Sequence, residues 1–170
     1  MTRSMPDDGS YDEDEFRSFM SHWPTGVTVV TSRDGGGAPA GCTVNAMMSV
    51  SLFPPRLMVS LATTSATLKA ILRAGDFGLN VLGADQEELC HLFAKGPKGD
   101  RFSRVRYDYR HGVPLLADVT AAIVCTVQDT MNCGDHVLIV GAPVWHTVRG
   151  DDSPLVFHRR RYRRLAHAND

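Results

Sequence analysis

Apolar and polar positions along the chain change period several times, and each change predicts an element. Phe16, Phe19, Met20 and Trp23 stand at i, i+3, i+4 and i+7 within residues 12–23, one face of a helix that Pro24 ends. Gly26-Val-Thr-Val-Val-Thr31 is a β-branched run closed by Asp34-Gly-Gly-Gly37, a strand and a turn. Residues 40–51 read as extended but polar in places, and Pro54-Pro55 breaks them from a further strand, Leu57-Met-Val-Ser-Leu61. Ser65 then caps a short helix with Leu68, Ile71 and Leu72 inward and Gly75 just beyond its end. A strand follows over 77–82. Asp85 and Glu88 stand at capping-box spacing before Leu89, Leu92 and Phe93, and a Gly/Lys-rich loop covers 95–100. The remainder is β in pattern: a strand over 121–128, a loop over 132–136, and a long strand over 137–148 bent at Gly141 and Pro143. Asp151 and Asp152 make a turn with Pro154, and Leu155, Val156 and Phe157 lead into a last strand that mixes arginines with Tyr162 and Leu165.

Six or so strands against three short helices, without regular β-α-β alternation, argue against a doubly wound sheet. Strands bounded by Gly, Pro and Asp turns, with helices inserted at intervals, predict a mainly β, antiparallel barrel.

Composition changes this picture little. A chain of 170 residues fits one domain and can bury a core without a metal or disulfide staple. We expect the domain over 13–166, with an acidic tail before it (1–12) and a short tail after it (167–170). Eighteen basic and nineteen acidic side chains give a net charge of −1, which leaves no nucleic-acid footprint on the whole molecule. The arginines at 159–161, 163 and 164 read as the exposed face of a strand or as a basic patch. Cys42, Cys90, Cys125 and Cys133 are widely spaced, so neither a zinc site nor a disulfide framework is indicated. With no charged-then-apolar leader and no long apolar run, the expectation is a cytoplasmic protein without a membrane span.

Common catalytic motifs are missing. There is no G-x-G-x-x-G after the first strand, no phosphate-binding G-x-x-x-x-G-K-[ST], no G-x-S-x-G and no H-x-x-x-H. Polar residues set among apolar strands remain: Thr43, Asn45, Ser49 and Ser51. A buried Asn needs every donor and acceptor met, by a turn network or by the alternating edge of a flat heteroaromatic ligand. Thr63, Thr64, Ser65 and Thr67 gather at a helix N-terminus, where hydroxyls and free N–H groups can hold a phosphate. Lys95, Lys98 and Arg101 could add charge, or simply face solvent. His136, after Gly134 and Asp135, is structural or aimed into a ligand site.

Taken in order, these segments resemble a family. They are Thr25-Gly-Val-Thr-Val-Val-Thr31, Thr43-x-Asn45 with Ser49-Val-Ser-Leu-x-Pro-Pro55, Phe77-x-x-Asn80-Val-Leu82, Phe93-Ala94 and Asp100-Arg-Phe102. Gly112-x-Pro-Leu-Leu116, Gly134-Asp-His136, Gly141 and Pro154-Leu-Val-x-His158 with Tyr162 complete the set. The ordered set, from Phe16 to Leu165, resembles the short-chain NAD(P)H:flavin reductases that serve two-component flavin monooxygenases. The resemblance implies a six-stranded antiparallel Greek-key split barrel acting as a homodimer. It implies FMN or FAD as flavin, NADH or NADPH as hydride donor, and a separate monooxygenase as the recipient of reduced flavin. It places Thr43, Asn45, Ala46 and the segment Ser49, Val50, Ser51 along the flavin ring. Ser60, Ala62 and Thr67, with Phe93, Ala94, Lys95, Arg101 and Phe102, fall at the ribityl and phosphate end. His136 and Tyr162 would flank the nicotinamide, His136 as the catalytic residue. Cys42, Met47-Met48 and Cys133 depart from the family pattern and leave FMN against FAD open. A flavin-binding module without nicotinamide turnover is the alternative; a pyridoxamine-phosphate-oxidase-like enzyme is disfavoured by Pro54-Pro55 and Gly134-Asp-His136.

Overall fold

The computed structural model describes residues 11–97, 99–150 and 153–165. Residues 1–10 of the expected acidic tail (1–12), the expected tail at 167–170, Lys98, and the Asp151-Asp152 turn lie outside those residues. Along the chain run α1 (Glu13–Met20), β1 (Thr25–Gly26), β2 (Thr28–Arg33), β3 (Pro39–Val44), β4 (Met47–Leu52), β5 (Pro55–Ala62), α2 (Ala66–Ala74) and β6 (Asp76–Val81). Then come α3 (Glu87–Lys95), a 3₁₀ turn (Phe102–Arg104), β7 (Tyr107–Arg110), β8 (Val113–Leu116), β9 (Ala121–Cys133), β10 (His136–Val148), β11 (Val156–His158) and β12 (Arg161–Arg163). No helix among the described residues is long and apolar enough to cross a membrane.

The protein is mainly β, as the pattern predicts, but the expected six-stranded split barrel is corrected. The main sheet has seven antiparallel strands in the order β3-β2-β6-β9-β10-β5-β4, and among the described residues no hydrogen-bonded ladder joins its edges. β3 and β4 form opposite edges although only Asn45 and Ala46 separate them in sequence. A link that short spans about 10 Å at most, so the sheet must curl until its two edges meet at that corner. The result is a curled sheet with an open seam at Asn45. Smaller sheets, β1-β11-β12 and β7-β8, flank it.

Two cores follow from the curl. Val30, Val59, Leu61, Phe77, Leu79, Cys125, Val137 and Ile139 come from five strands of the sheet and enclose Leu68 and Ile71 of α2, which plugs the concave side. Val29, Leu82, Phe93, Phe102, Val113, Val124 and Leu155 pack on the outer side under α3, β8 and β11. β2 is buried on both faces, which explains why Thr28–Arg33 reads as a continuous rather than an alternating run. Each large apolar side chain fully buried here contributes about 1.5–3 kcal/mol.

Particular residues bend and end the elements. A Cβ on Gly141 would lie 2.6 Å from Phe77 Cζ and 2.9 Å from Cys125 Cβ, so β10 crosses β9 closely only with glycine there. The β9–β10 register shifts at Val140/Gly141 and again at Pro143/Trp145, the two bends expected. Gly75 ends α2 with φ 75°, and its N–H donates to the Ile71 carbonyl. Leu72, expected inward, is exposed, because the buried stripe of α2 is Thr67, Leu68, Ala70 and Ile71. The capping box is also corrected. α3 starts after Gln86, whose Oε1 accepts from the Gly83 N–H and so closes the preceding loop instead of capping the helix.

Candidate active site

β3, the start of α2 and the loop after α3 enclose a cleft of about 610 Å³. Cys42, Ser65, Thr67, Ala94, Arg101 and Phe102 are among its walls. Arg101 is the unusual member. It is buried, yet no carboxylate among the described residues pairs with it. Nη1 donates to the Gly41 carbonyl at 2.8 Å, and Nε and Nη2 donate to the Gly96 carbonyl at 3.1 and 2.9 Å. A guanidinium has five N–H groups, so two remain for a ligand. Keeping a cation out of water without a counter-charge is costly, and an anion in the cleft would offset that cost.

The opposite wall adds to the same field. Ser65 caps α2 by accepting from the Leu68 N–H, and the first turn of α2 carries no acidic residue. Both other helices open on acidic side chains, Glu13, Asp14 and Glu15 in α1 and Glu87 and Glu88 in α3. The N-terminal charge of α2 is therefore left for something else. Asp34 also borders the cleft, but its Oδ1 is taken up by the N–H groups of Gly36 and Ala38. The donor set suits a phosphate.

The other residues expected at a site are distributed around this cleft. Thr67 is buried in α2; Phe93 is fully buried in the outer core, while Ala94 and Lys95 at the end of α3 are exposed. Thr43 donates from Oγ1 to the Cys90 carbonyl at 2.7 Å, which ties β3 to α3. Asn45 and Ala46 form the seam, where the Ala46 carbonyl accepts from the Ser60 N–H. Ser49, Val50 and Ser51 lie on the edge strand β4, with a register shift between Ser49 and Ser51. Asn45 is exposed. The buried asparagine of this fold is Asn80, whose Nδ2 donates to the Val29 carbonyl and to Thr31 Oγ1 and whose Oδ1 accepts from the Leu116 N–H. An Asn inside the apolar run Phe77–Val81 was the signal for it.

His136 opens β10 opposite Ala62, the last residue of β5. Its Nδ1–H donates to Asp135 Oδ1 at 2.7 Å, and this bond holds the Asp135 carboxyl below its ordinary range. Gly134, at φ 58°, makes the tight turn that precedes it. Thr63 donates from N and Oγ1 to the Asp135 carbonyl, and Ser65 approaches Cys42 Sγ at 3.9 Å. Segment 62–65 thus joins the His136 turn to the phosphate end of the cleft. Tyr162 sits elsewhere in the subunit, its hydroxyl 3.1 Å from Cys90 Sγ and its ring edge-on to His91. Burial raises the pKa of both the Tyr162 hydroxyl and the Cys90 thiol. Sequence reasoning left out the carbonyls of Gly41 and Gly96, which hold Arg101; backbone acceptors leave no mark in a sequence.

The fold and the site together define a mainly β domain with a phosphate-suited cleft close to an open sheet seam. Residues 20–166 match the family model described as flavin reductase like domain. The chain is 42% identical over 160 residues to a flavin reductase (NADH) of Kitasatospora aureofaciens, covering 92% of this chain and 83% of that protein. It is 37% identical over 151 residues to the reductase component of a 4-nitrophenol 4-monooxygenase/4-nitrocatechol 2-monooxygenase of Rhodococcus opacus, covering 89% and 80%. The solved structure of flavin reductase PheA2 in its native state superposes with a TM-score of 0.85 at 33% identity, covering 92% of this chain and all of that one. This chain belongs to the flavin reductase family.

Proposed function

We propose that this protein is an NAD(P)H:flavin oxidoreductase that supplies reduced FMN or FAD to a separate monooxygenase. The observation that carries the reading is Arg101, a buried guanidinium without a carboxylate partner, facing the acid-free N-terminus of α2 across one cleft. Arg101 and the first turn of α2 would hold the flavin phosphate, with Thr67, Ala94 and Phe102 around the ribityl chain. Asn45, Ala46 and the β4 segment 49–51 would meet the ring edge at the seam. Flavin and nicotinamide together supply the chemistry, a hydride passed between stacked rings.

The chain's own part is positional. Rings must approach within about 3–3.5 Å, and a wall misplaced by about 1 Å can cost a hundredfold in rate. His136, fixed by Asp135, would orient the nicotinamide near segment 62–65; no covalent nucleophile is required. We further propose a cytoplasmic homodimer. Its support is the exposed apolar edge Met47, Met48, Val50, Leu52 and Phe53, which adjoins the seam and would wall it from solvent when covered by a second copy. Within the split-barrel family this sheet reads as a barrel left open along the seam. Binding of FMN, FAD and riboflavin to the purified protein, followed by flavin fluorescence, tests the cleft. Saturable binding supports it, and no binding of any flavin removes it.

A further inference from the structure

A polar cleft of about 350 Å³ opens at the far end of β10 from His136 and shares no wall residue with the flavin cleft. It lies between the loop from β6 to α3, the loop into β9, and the residues that follow β10 and β12.

Backbone bonds fix this frame. The Thr120 N–H donates to the Val81 carbonyl at 3.0 Å, the Arg149 N–H to the Thr120 carbonyl at 2.8 Å, and the Ala84 N–H to the Ser153 carbonyl at 2.8 Å. Gln86 ties two of the loops together, accepting from the Gly83 N–H at Oε1 and donating from Nε2 to the Asp118 carbonyl. The walls are therefore in place before anything binds.

The side chains on those walls are not all satisfied. Thr120 Oγ1 and Ser153 Oγ are buried without a hydrogen-bond partner among the described residues. Unpaired hydroxyls beside a polar cleft are a cost that a ligand oxygen would remove. Asp118 has one carboxylate oxygen on Arg106 and the other on Arg149 at 3.0 Å, so its charge is met and it steadies the Arg149 guanidinium at the wall. Arg164 and Asp85 are the charges left over, exposed at the walls and without an ion-pair partner among the described residues. A Cβ on Gly83 would lie 3.1 Å from Asp85 Oδ1 and 3.2 Å from Thr120 Oγ1. Carboxylate and orphaned hydroxyl thus converge on one corner, which glycine leaves open.

Two guanidinium groups and two hydroxyl donors suit an oxyanion. Asp85 narrows the choice. An ionised carboxylate only accepts, so an oxyanion beside it must bring a hydrogen of its own. Inorganic phosphate carries a P–OH in both of its anionic forms at neutral pH. Sulfate has none, and a phosphate monoester, with its second pKa at about 6, has mostly lost its own.

We propose that this cleft is a binding site for inorganic phosphate, with Arg149 and Arg164 on its negative oxygens, Thr120 and Ser153 donating to them, and Asp85 accepting from the P–OH. None of these residues is assigned to flavin or nicotinamide, so the site stands or falls apart from the reductase reading.

Calorimetry with phosphate, sulfate and phenyl phosphate, at matched ionic strength and in a buffer free of all three, tests this. The protein is first saturated with FMN, which occupies Arg101 and the start of α2. Phosphate should bind saturably, with sulfate and phenyl phosphate at least about tenfold weaker. Arg164→Ala should weaken phosphate about tenfold or more, as expected for the loss of a charged hydrogen-bond partner. Asp85→Asn should bring sulfate to within about threefold of phosphate, since an amide can donate where a carboxylate cannot. Both side chains are exposed and make no hydrogen bond among the described residues, so both variants should melt with the unmodified protein. Absence of phosphate binding, binding indifferent to Arg164→Ala, or sulfate or phenyl phosphate bound as tightly as phosphate by the unmodified protein would overturn the proposal. So would a preference for phosphate over sulfate that survives Asp85→Asn. If no flavin binds, the same titration of the protein alone decides: an Arg164-dependent phosphate site leaves the proposal standing while the reductase reading falls.

Discussion

Arg101 donates from Nη1 to the Gly41 carbonyl at 2.8 Å, and this bond carries the loop after α3 across the cleft to β3. The same side chain closes its own loop through Gly96, so one residue shapes the cleft and charges it.

Arg101→Lys therefore separates charge from shape. Lysine keeps the cation but cannot reach two carbonyls and a ligand with one fork. FMN should bind about ten- to hundredfold more weakly, since hydrogen bonds to charged groups contribute about 1.5–3 kcal/mol. Riboflavin, which has no phosphate, should bind the variant and the unmodified protein alike. Fluorescence titration of the two flavins checks this, and equal losses for both would assign Arg101 to structure alone.

Asn80 is a structural counterpart. Asn80→Leu removes the partners of the Val29 carbonyl and the Leu116 N–H, both buried, at about 1–3 kcal/mol each. A domain of this size loses about 2–4 °C of melting temperature per kcal/mol, so a fall of roughly 4–24 °C is expected. Thermal denaturation measures it; flavin affinity below the transition should stay near that of the unmodified protein.

These two residues show what the sequence could and could not reveal. A buried asparagine was legible as a class, but Asn45 and Asn80 both stand in the family motifs, and only Asn80 is buried while Asn45 is exposed at the seam. Local signals served well: Gly75 ends α2, Gly141 and Pro143 bend β10, and Ser65 caps. They failed where tertiary contacts decide. Gln86 turned to Gly83 instead of leaving the capping to Asp85, and Leu72 fell outside the stripe buried under the sheet. Strand count and closure were beyond reach, because pairing β3 and β4 at opposite edges is a property of the whole curl. The two-residue turn of Arg159 and Arg160 between β11 and β12, both at positive φ, was hidden for the opposite reason, since nothing in that pair announces it.

The four thiols should divide by environment. Cys133 is exposed and should react first with an aromatic disulfide reagent; Cys42, half-buried in the cleft, should react more slowly and be protected by FMN. Cys90 and Cys125 should react only on unfolding. Burial pushes the Cys125 thiol from 9.0 up to about 12, and burial likewise raises Cys90. Because the unfolded thiols ionise first, the stability they contribute is complete below about pH 9 and is lost as pH rises toward 12. Chemical denaturation across that range measures the decline.

His136→Ala should raise the nicotinamide KM or lower kcat/KM by up to about a hundredfold, with flavin affinity and melting temperature near those of the unmodified protein. Asp135→Asn, which weakens the hold on the ring, should move the same parameters in the same direction by less. Steady-state kinetics on both variants, beside a thermal melt, separate orientation of the donor from support of the β9–β10 turn. A lower melting temperature with lost flavin binding would make His136 structural.

The central claim is hydride transfer from nicotinamide to flavin, and one assay reads it directly. Purified protein is mixed with NADH or NADPH, and the fall in nicotinamide absorbance is followed with FMN, FAD or riboflavin added. The account predicts flavin-dependent oxidation that saturates in both substrates and stays at background without flavin. Saturable flavin binding with no oxidation of either nicotinamide would contradict it and leave a flavin-binding module in its place.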